Sequence, residues 1–460
     1  MRGVLVGMPT DSALERIVSL VLSATTPTPS RPGFGAALIA APDATGAFGS
    51  SLVRRASDPA GVSAMGFAAN GPTMRDVNAY FAQANKPEFV YIGRRQAKPT
   101  RIVTLTVVTP EVGAVYSVEL NGVTFSFTAA TAVAADVATG LAAAIVSGTA
   151  GYTKAAVGAV ITLTASVAGT SPMIRNISVT HPDGPTASAL VAKDTTVDPG
   201  IADDLADIFA TPLGSEAFGL LTPGAGPEEI EAAATWATAN ERIYAAQVFD
   251  TSILDANVTD DAASEITALR PRFLLLTVRR VSSDSPVSAA ILGRCLAVTP
   301  GSINFAHKTL SLVEGDAFNA DEIATVADKF ANVYTSIQRV NVFFDGRMGD
   351  GGWADEVIGS AFLQSELKIG VFEELLAHDK VPYTDAGADL LRARVKAILL
   401  MLAQDPYNII DPARDITVTM PAISSLSVQQ RASREWPDIF FECFYQGAIS
   451  SVKMRGKITP

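Results

Sequence analysis

Cysteine and histidine are scarce in this chain. The two cysteines, Cys295 and Cys443, stand far apart and match no metal-ligand or disulfide spacing. They read as two reduced, buried thiols. The three histidines, His181, His307 and His378, are not within a few residues of one another, and neither H-x-x-x-H nor H-E-x-x-H occurs. No serine sits in a G-x-S-x-G elbow, and no G-x-x-x-x-G-K-[ST] loop is present. No catalytic, cofactor-binding or metal-binding residue is therefore expected. A Ser/His/Asp triad stays open at this point, because its members meet only in the fold.

Positive charge is also in short supply. The chain carries 35 Lys and Arg against 47 Asp and Glu, a net charge of −12. That argues against a nucleic-acid partner, which needs clustered cations to neutralise phosphates. An acidic surface keeps an abundant protein in solution and can meet a basic partner face. No run approaches the ~18 apolar residues of a bilayer span; the longest, residues 397–403, is far too short. Residues 1–7 have one Arg and a brief apolar patch but no hydrophobic signal region, so neither a secretory signal nor direct membrane insertion is expected. Folding in the cytoplasm is the expectation. What the chain has instead is apolarity. It is 48% hydrophobic with a mean hydropathy of +0.26, much of it from Ala and Val. Such a composition suits a chain that hides extra surface against partners.

A chain of 460 residues exceeds one core, and two to four domains of roughly 100–200 residues are expected. Residues 1–33 read as an extended arm. Its segment 16–23 is β-branched and partly alternating, hence a strand, and prolines at 27, 29 and 32 stiffen the connector that follows. Residues 34–100 open an α/β core, with strands at 36–40 and 89–93. Between them the spacing predicts a helix over 73–85, N-capped by Thr73, with Val77, Tyr80 and Phe81 on one face. Composition shifts at Arg101. Residues 101–195 read as an inserted β-rich surface domain, poor in charge, with strands at 101–108, 115–120, 123–128 and 159–165 and a helix over 132–146. Asn121-Gly122 signals a hairpin between two of those strands. Residues 196–350 resume the core: strands at 218–222, 242–249, 273–278 and 339–344 alternate with helices at 227–240, 260–269, 286–297 and 321–337. That alternation predicts βαβ units and an at least partly parallel sheet. Residues 351–460 begin with two long helices. Ile358, Phe362, Ile369, Phe372 and Leu376 line one face of 353–378; Leu391, Val395, Ile398 and Leu402 line one face of 385–404. The short link between them predicts antiparallel packing. Strands are expected at 416–420, 439–445 and 448–458.

Three stretches could carry chemistry. Gly224-Ala225-Gly226 follows a strand and precedes a helix, as in a phosphate-binding turn. The third glycine is missing and Glu228 and Glu229 would repel phosphate, so a plain left-handed turn is the better reading. Residues 345–352 are rich in Gly and Asp but lack the alternating acids and distal Glu of a calcium loop, and read as a turn. Arg392, Arg394 and Lys396 form a small basic group on the last long helix. It is either a solvated face or an electrostatic contact for an acidic partner.

Three segments carry a family resemblance: Asp350-Gly351-Gly352-Trp353-Ala354-Asp355-Glu356-Val357-Ile358-Gly359; Lys380-Val381-Pro382-Tyr383-Thr384-Asp385-Ala386-Gly387; and Arg434-Glu435-Trp436-Pro437-Asp438-Ile439, followed by Gln446-Gly447-Ala448-Ile449-Ser450-Ser451-Val452. In this order and spacing they resemble the contractile phage tail sheath family, in its shorter branch, here with an inserted β-rich domain. The resemblance is strongest over 350–460 and loose before that. It implies a fold class of α/β, or α+β multidomain: a mixed α/β core sheet with helices, the β-rich insertion, and terminal strands exchanged between subunits. It implies a structural subunit that polymerises as stacked, six-fold rings around a tail tube and contracts by rigid-body rotation to drive the tube through an envelope during genome delivery. Its partners would be further copies of itself, the tube, and baseplate and terminator proteins; its place would be a virion tail assembled in the host cytoplasm. The linking strands would use Ile17, Val18, Leu20 and Leu22 at one end and Ala448, Ile449, Val452, Met454 and Ile458 at the other, adding to neighbours' sheets. Arg392, Arg394 and Lys396 would face the tube. The alternatives are another tail, tube, baseplate or capsid protein, the sheath of a headless injection device, and an α/β enzyme.

Overall fold

A computed structural model describes residues 33–85, 87–146, 151–280, 285–436 and 439–450. The chain divides into two compact units: residues 33–297 with 305–353, and a second unit that includes 298–304 and 354–460.

In chain order the first unit begins with strands β1 (Gly33–Ala41) and β2 (Val53–Ala56), helices α1 (Pro59–Ser63) and α2 (Pro72–Phe81), and β3 (Val90–Arg94). Next come β4 (Ile102–Val108), β5 (Val115–Leu120), β6 (Val123–Thr128), α3 (Ala134–Ala144), β7 (Tyr152–Val157), β8 (Val160–Ala165), β9 (Ile174–Thr180) and β10 (Ala189–Asp194). The chain then runs through α4 (Ile201–Phe209), α5 (Pro212–Ser215), β11 (Ala217–Leu221), α6 (Pro227–Ala239), β12 (Ile243–Phe249), α7 (Ala262–Ala268), β13 (Leu274–Arg279), α8 (Val287–Cys295), α9 (Ala320–Asp328), β14 (Asn332–Ile337) and β15 (Val340–Phe344).

Eight of these strands form one sheet, in the order β15-β14-β13-β12-β11-β1-β3-β2. The six from β14 to β3 are parallel, and the two outermost strands pair antiparallel with their neighbours. The reason lies in the residues. Every position of β11 and β13 is buried, which only a strand covered on both faces tolerates. On one face Leu38, Leu220, Tyr244, Leu274 and Leu276 pack with Leu205, Ile230 and Ile266 of α4, α6 and α7. On the other lie α2 and α8, where Gly293 sits against the backbone of Tyr80 too closely for any side chain. The register of β1 shifts between Gly33 and Ala37. Ala37 N–H donates to the Tyr80 hydroxyl at 3.1 Å, so a side chain satisfies a buried backbone donor.

Residues 102–194 form two smaller sheets, β10-β4-β8-β7 and β6-β5-β9, around a core that includes Leu105, Tyr116, Val118, Leu141 and Leu163. Asn121 (φ 49°) and Gly122 (φ 81°) both adopt left-handed backbone between the paired Leu120 and Val123, the turn that matches the twist of a tight hairpin. The module leaves and re-enters the core on adjacent strands, β4 and β10, with Val103 opposite Asp194.

The second unit holds α10 (Ala354–Leu376), α11 (Asp385–Leu402), β16 (Thr417–Thr419), α12 (Val428–Ser433) and β17 (Phe440–Glu442). Leu363 and Leu367 pack with Val395, Ile398, Leu399 and Leu402. Gly370 lies against Ile398, and Arg394 donates to the Gly370 carbonyl at 3.1 Å; the helices run antiparallel. Among the described residues no helix is long and apolar enough to cross a membrane.

Several expectations are corrected. The helix expected over 321–337 is two elements. It stops at Asp328, Phe330 takes a positive φ of 53°, and the β-branched and aromatic run from Asn332 becomes β14. Pairing with β13 on one side and β15 on the other outweighs any helical preference. Thr73 is no N-cap: Gly71 holds that place, Pro72 starts the helix, and the Thr73 hydroxyl donates to Asp43. On α10 the buried stripe is turned away from the expected one. Leu376 is 68% exposed and Phe362 only partly buried, while Leu363 and Leu367 face α11. The approach at Gly370 sets that rotation. Strands β2, β7, β9 and β10 and helices α1, α4, α5 and α12 were not expected.

Beneath the sheet, Arg95 is bonded to Asp204 at 3.2 Å and Glu229 at 2.6 Å; the three side chains are 1%, 6% and 0% exposed. Removing one member of such a group leaves buried charge uncompensated, at a cost of about 3–5 kcal/mol. Arg95→Ala is expected to lose that much in equilibrium urea unfolding. A loss below about 1 kcal/mol, the range of exposed ion pairs, would contradict this.

Candidate assembly interface

An open α/β sheet binds ligands in the crevice beyond the carboxyl ends of its strands, where successive crossovers go to opposite faces. Here that place lies between β1, followed by α2, and β11, followed by α6. It is lined by Asp76, the 222–227 turn, the ends of β12 and β13, Arg101 and Asp194. The cavity left is about 30 Å³, room for one or two waters, whereas a ligand pocket has roughly 300–1,000 Å³. The stem of the inserted module fills the rest. Arg101 and Asp194 pair at 2.8 Å, both almost fully buried. Arg101 also donates to Ser171 Oγ at 2.8 Å. Gly224 adopts a left-handed φ of 69°, as expected of a plain turn. The donor a phosphate would use at the start of α6 is taken: Gly226 N–H donates to Glu229 Oε2 at 3.2 Å, the other half of whose carboxylate holds Arg95.

The remaining candidates are scattered. His181 Nε2 lies 3.0 Å from the Val112 carbonyl, His307 packs edge-on to Phe344, and His378 Nδ1 lies 3.1 Å from the Glu374 carbonyl. Among the described residues no group of three or more His, Cys, Asp or Glu could hold a metal ion. The 345–352 stretch is a turn tied to β14: Gly346 and Arg347 N–H donate to Asn332 Oδ1 at 2.9 and 2.8 Å, and Gly352 N–H to Asp350 Oδ1 at 2.8 Å. Cys295 is buried, which pushes its thiol up to about 12; Cys443 is half-buried and shifted the same way.

The second unit carries a different kind of site. Strands β16 and β17 pair antiparallel over three residues each, and among the described residues no third strand joins them. Val418 and Phe441 turn inward onto the helix pair, and Phe440 is 63% exposed. A two-stranded pair on its own is marginal, so this one rests on its mounting. Ile423 N–H donates to Asp385 Oδ1 at 2.8 Å. Tyr383 packs against Trp436 with ring centres 4.8 Å apart and planes tilted by 43°, and its hydroxyl donates to the Glu435 carbonyl at 3.0 Å. Thr384 caps α11 through Gly387 N–H at 3.3 Å. The segment 380–387 is thus a clamp: one side starts α11, the other holds the chain that leads into β17.

Of the residues singled out for linking strands, Ala448 and Ile449 lie in the described part and neither is in a strand; Ile449 is 81% exposed. A strand therefore does not begin at 448 in the isolated chain, where no neighbouring edge supplies its hydrogen bonds. Val452, Met454 and Ile458, with Ile17, Val18, Leu20 and Leu22, lie outside the described residues. The basic group is not one patch. Arg392 pairs with Asp389 and Arg394 with Glu373, each at 2.8 Å, while Lys396 is exposed. Positions 392 and 396 share a helix face, but 394 turns towards α10.

Sequence reasoning missed Tyr383, Trp436, Arg101 and Asp194 as working side chains. The first two lie inside the 380–387 and 434–439 segments; the last two bracket the charge-poor insertion, a signal the sequence carries. Trp436→Ala removes an aromatic pair that contributes about 0.5–1.5 kcal/mol beyond its buried area. Amide exchange in 423–436 is expected to speed up several-fold while α10 and α11 keep their protection; unchanged exchange would show that the clamp holds nothing.

No family model matches the sequence, and no curated protein matches it either. Solved structures do match in fold. The PVC sheath complex of an extracellular contractile injection system, in its contracted state, superposes with a TM-score of 0.52 at 9% identity, over 96% of each chain. The helical sheath of the anti-feeding prophage, also contracted, gives 0.51 at 10% identity, over 99% of this chain and 98% of that one. The chain has the fold of a contractile-sheath subunit across nearly its whole length.

Proposed function

We propose that this chain is a structural subunit of a contractile sheath. Copies polymerise as stacked rings around an inner tube, and contraction drives that tube through an envelope. The observation that carries this reading is the two-stranded sheet β16–β17, which no third strand joins among the described residues, mounted on a helix pair and followed by an exposed apolar segment at Ala448–Ile449. Such a sheet is an acceptor, and strands from other copies are its natural complement, since main-chain hydrogen bonds supply affinity and alternate side chains supply register. We assign the donor strands to residues 16–23, reaching out on the proline-stiffened connector, and to 448–458, a shorter link. The role is mechanical rather than catalytic.

The tube partner, the baseplate and terminator contacts, the six-fold ring and the location in a tail belong to the same proposal. Within it the tube-facing surface is best sought at Lys396 and Arg392, which share an exposed helix face, because Arg394 turns towards Glu373 of α10. One of the structures with this fold comes from an extracellular contractile injection system, which favours a headless device as the second reading. The two differ in what lies above the sheath, not in how its subunits join.

Truncation after Gly447 is expected to abolish assembly in analytical sedimentation and leave the far-ultraviolet circular dichroism of the core unchanged. A truncated chain that still sediments as a polymer would overturn the assignment of the C-terminal strand.

A further inference from the structure

Asp76 of α2 is 7% exposed and forms part of the wall of the small cavity at the sheet's crevice. Among the described residues no hydrogen bond or ion pair closes on its carboxyl group. The titratable and charged groups around it come from several elements, among them Tyr244 of β12, whose hydroxyl lies 2.6 Å from Thr222 Oγ1. Arg75 is its neighbour on α2, but the Arg75 guanidinium donates to the Ser171 carbonyl at 2.7 Å. Asp43, after β1, receives the Thr73 hydroxyl. Arg101 and Asp194, in the stem of the inserted module, hold each other at 2.8 Å. Arg279, at the end of β13, is paired with Asp316 at 2.7 Å. The last two pairs are each neutral. What remains is one cation, Arg75, against two carboxyl groups, Asp43 and Asp76. Unmatched buried charge is costly, and a buried acid avoids it by keeping its proton. Asp43 has a hydroxyl donor that favours its ionised form; Asp76 has none.

We propose that this cavity is a proton-binding site, in which Asp76 stays a neutral carboxylic acid at neutral pH and its ionisation loosens the stem of the inserted β module. An ionised Asp76 would compete with Asp194 for Arg101 across the cavity. Asp194 in turn holds Thr196 through its N–H and hydroxyl at 3.0 and 2.6 Å, and Thr196 Oγ1 accepts Ile102 N–H at 3.0 Å. Both stem strands thus depend on that carboxylate. Burial raises Asp76 from 3.8 to about 8, with Arg75 opposing and Asp43 adding to the shift. The sign follows by linkage. Between those two values the folded chain holds a proton that the unfolded chain has lost, so stability falls as pH rises through the window and levels off above it.

The test uses the full chain, with difference infrared spectroscopy from pH 6 to 9.5 and amide exchange at Ile102 and Thr196. A protonated-carboxyl band is expected at pH 6, titrating away with a midpoint near 8 and absent from Asp76→Asn. Exchange at the two amides, relative to Asp76→Asn at the same pH, is expected to be equal at pH 6 and several-fold faster at pH 9.5. If Asp76→Asn does not fold, Arg75→Gln replaces it, and loss of the lone cation should move the midpoint upward. No band at pH 6, an exchange ratio that does not change with pH, or a midpoint unmoved by Arg75→Gln would each overturn the proposal.

Discussion

The edge of a β-sheet is a row of unpaired N–H and C=O groups, and a protein must cover it, charge it or lend it to a partner. In its large sheet this chain does the first two. In the eight-stranded sheet, β2 is four residues long and exposes Arg54 and Arg55. At the opposite edge, β15 is closed by the passing loop, with His307 N–H donating to the Phe343 carbonyl at 2.7 Å and Phe343 N–H to the Lys308 carbonyl at 2.9 Å. In the second unit no third strand joins β16 and β17 among the described residues, and their three-residue ladder carries the exposed Phe440 at one end and the exposed Glu442 at the other. Among the described residues the edges of the first sheet are closed or charged while the second remains two-stranded, and the proposed assembly role rests on that contrast.

In the large sheet the crevice that an α/β architecture offers a ligand is put to another use. Its parallel strands create the crevice where α/β proteins bind nucleotides, and the inserted module is rooted there. Arg101, Asp194, Ser171 and Thr196 convert a binding cleft into a buried polar joint. The joint fixes the module's orientation, which a mere surface decoration would not require. It also gathers charges that do not balance, so a proton becomes part of the fold. Arg95 with Asp204 and Glu229 is a second such knot one layer away, binding β3 to α4 and α6.

What could be read from the sequence follows from how local each cause is. The central strands were legible because burial on both faces forces continuous apolar runs such as Leu274–Leu275–Leu276. The Asn121–Gly122 hairpin was legible because few dipeptides accept two left-handed residues in succession. Strand β7 was not, since its Thr and Ala residues carry little periodic signal, and in β9 and β10 charged or polar residues interrupt the apolar ones. The end of α9 was missed because nothing in the sequence before Phe330 marks a stop; the sheet imposes it. The rotation of α10 depends on Gly370 meeting Ile398 of α11, and the basic triplet dissolved for the same reason, since Arg394 has its acid on the facing helix. The working pairs of the site, Tyr383 with Trp436 and Arg101 with Asp194, join residues 53 and 93 positions apart, a distance no window of sequence spans.

The central claim is that this subunit is completed by copies of itself. Negative-stain electron microscopy of the purified full-length chain, at rising protein concentration, tests it most directly. The account predicts long hollow tubes with a regular axial repeat. A monodisperse monomer across all concentrations and salt conditions would contradict it.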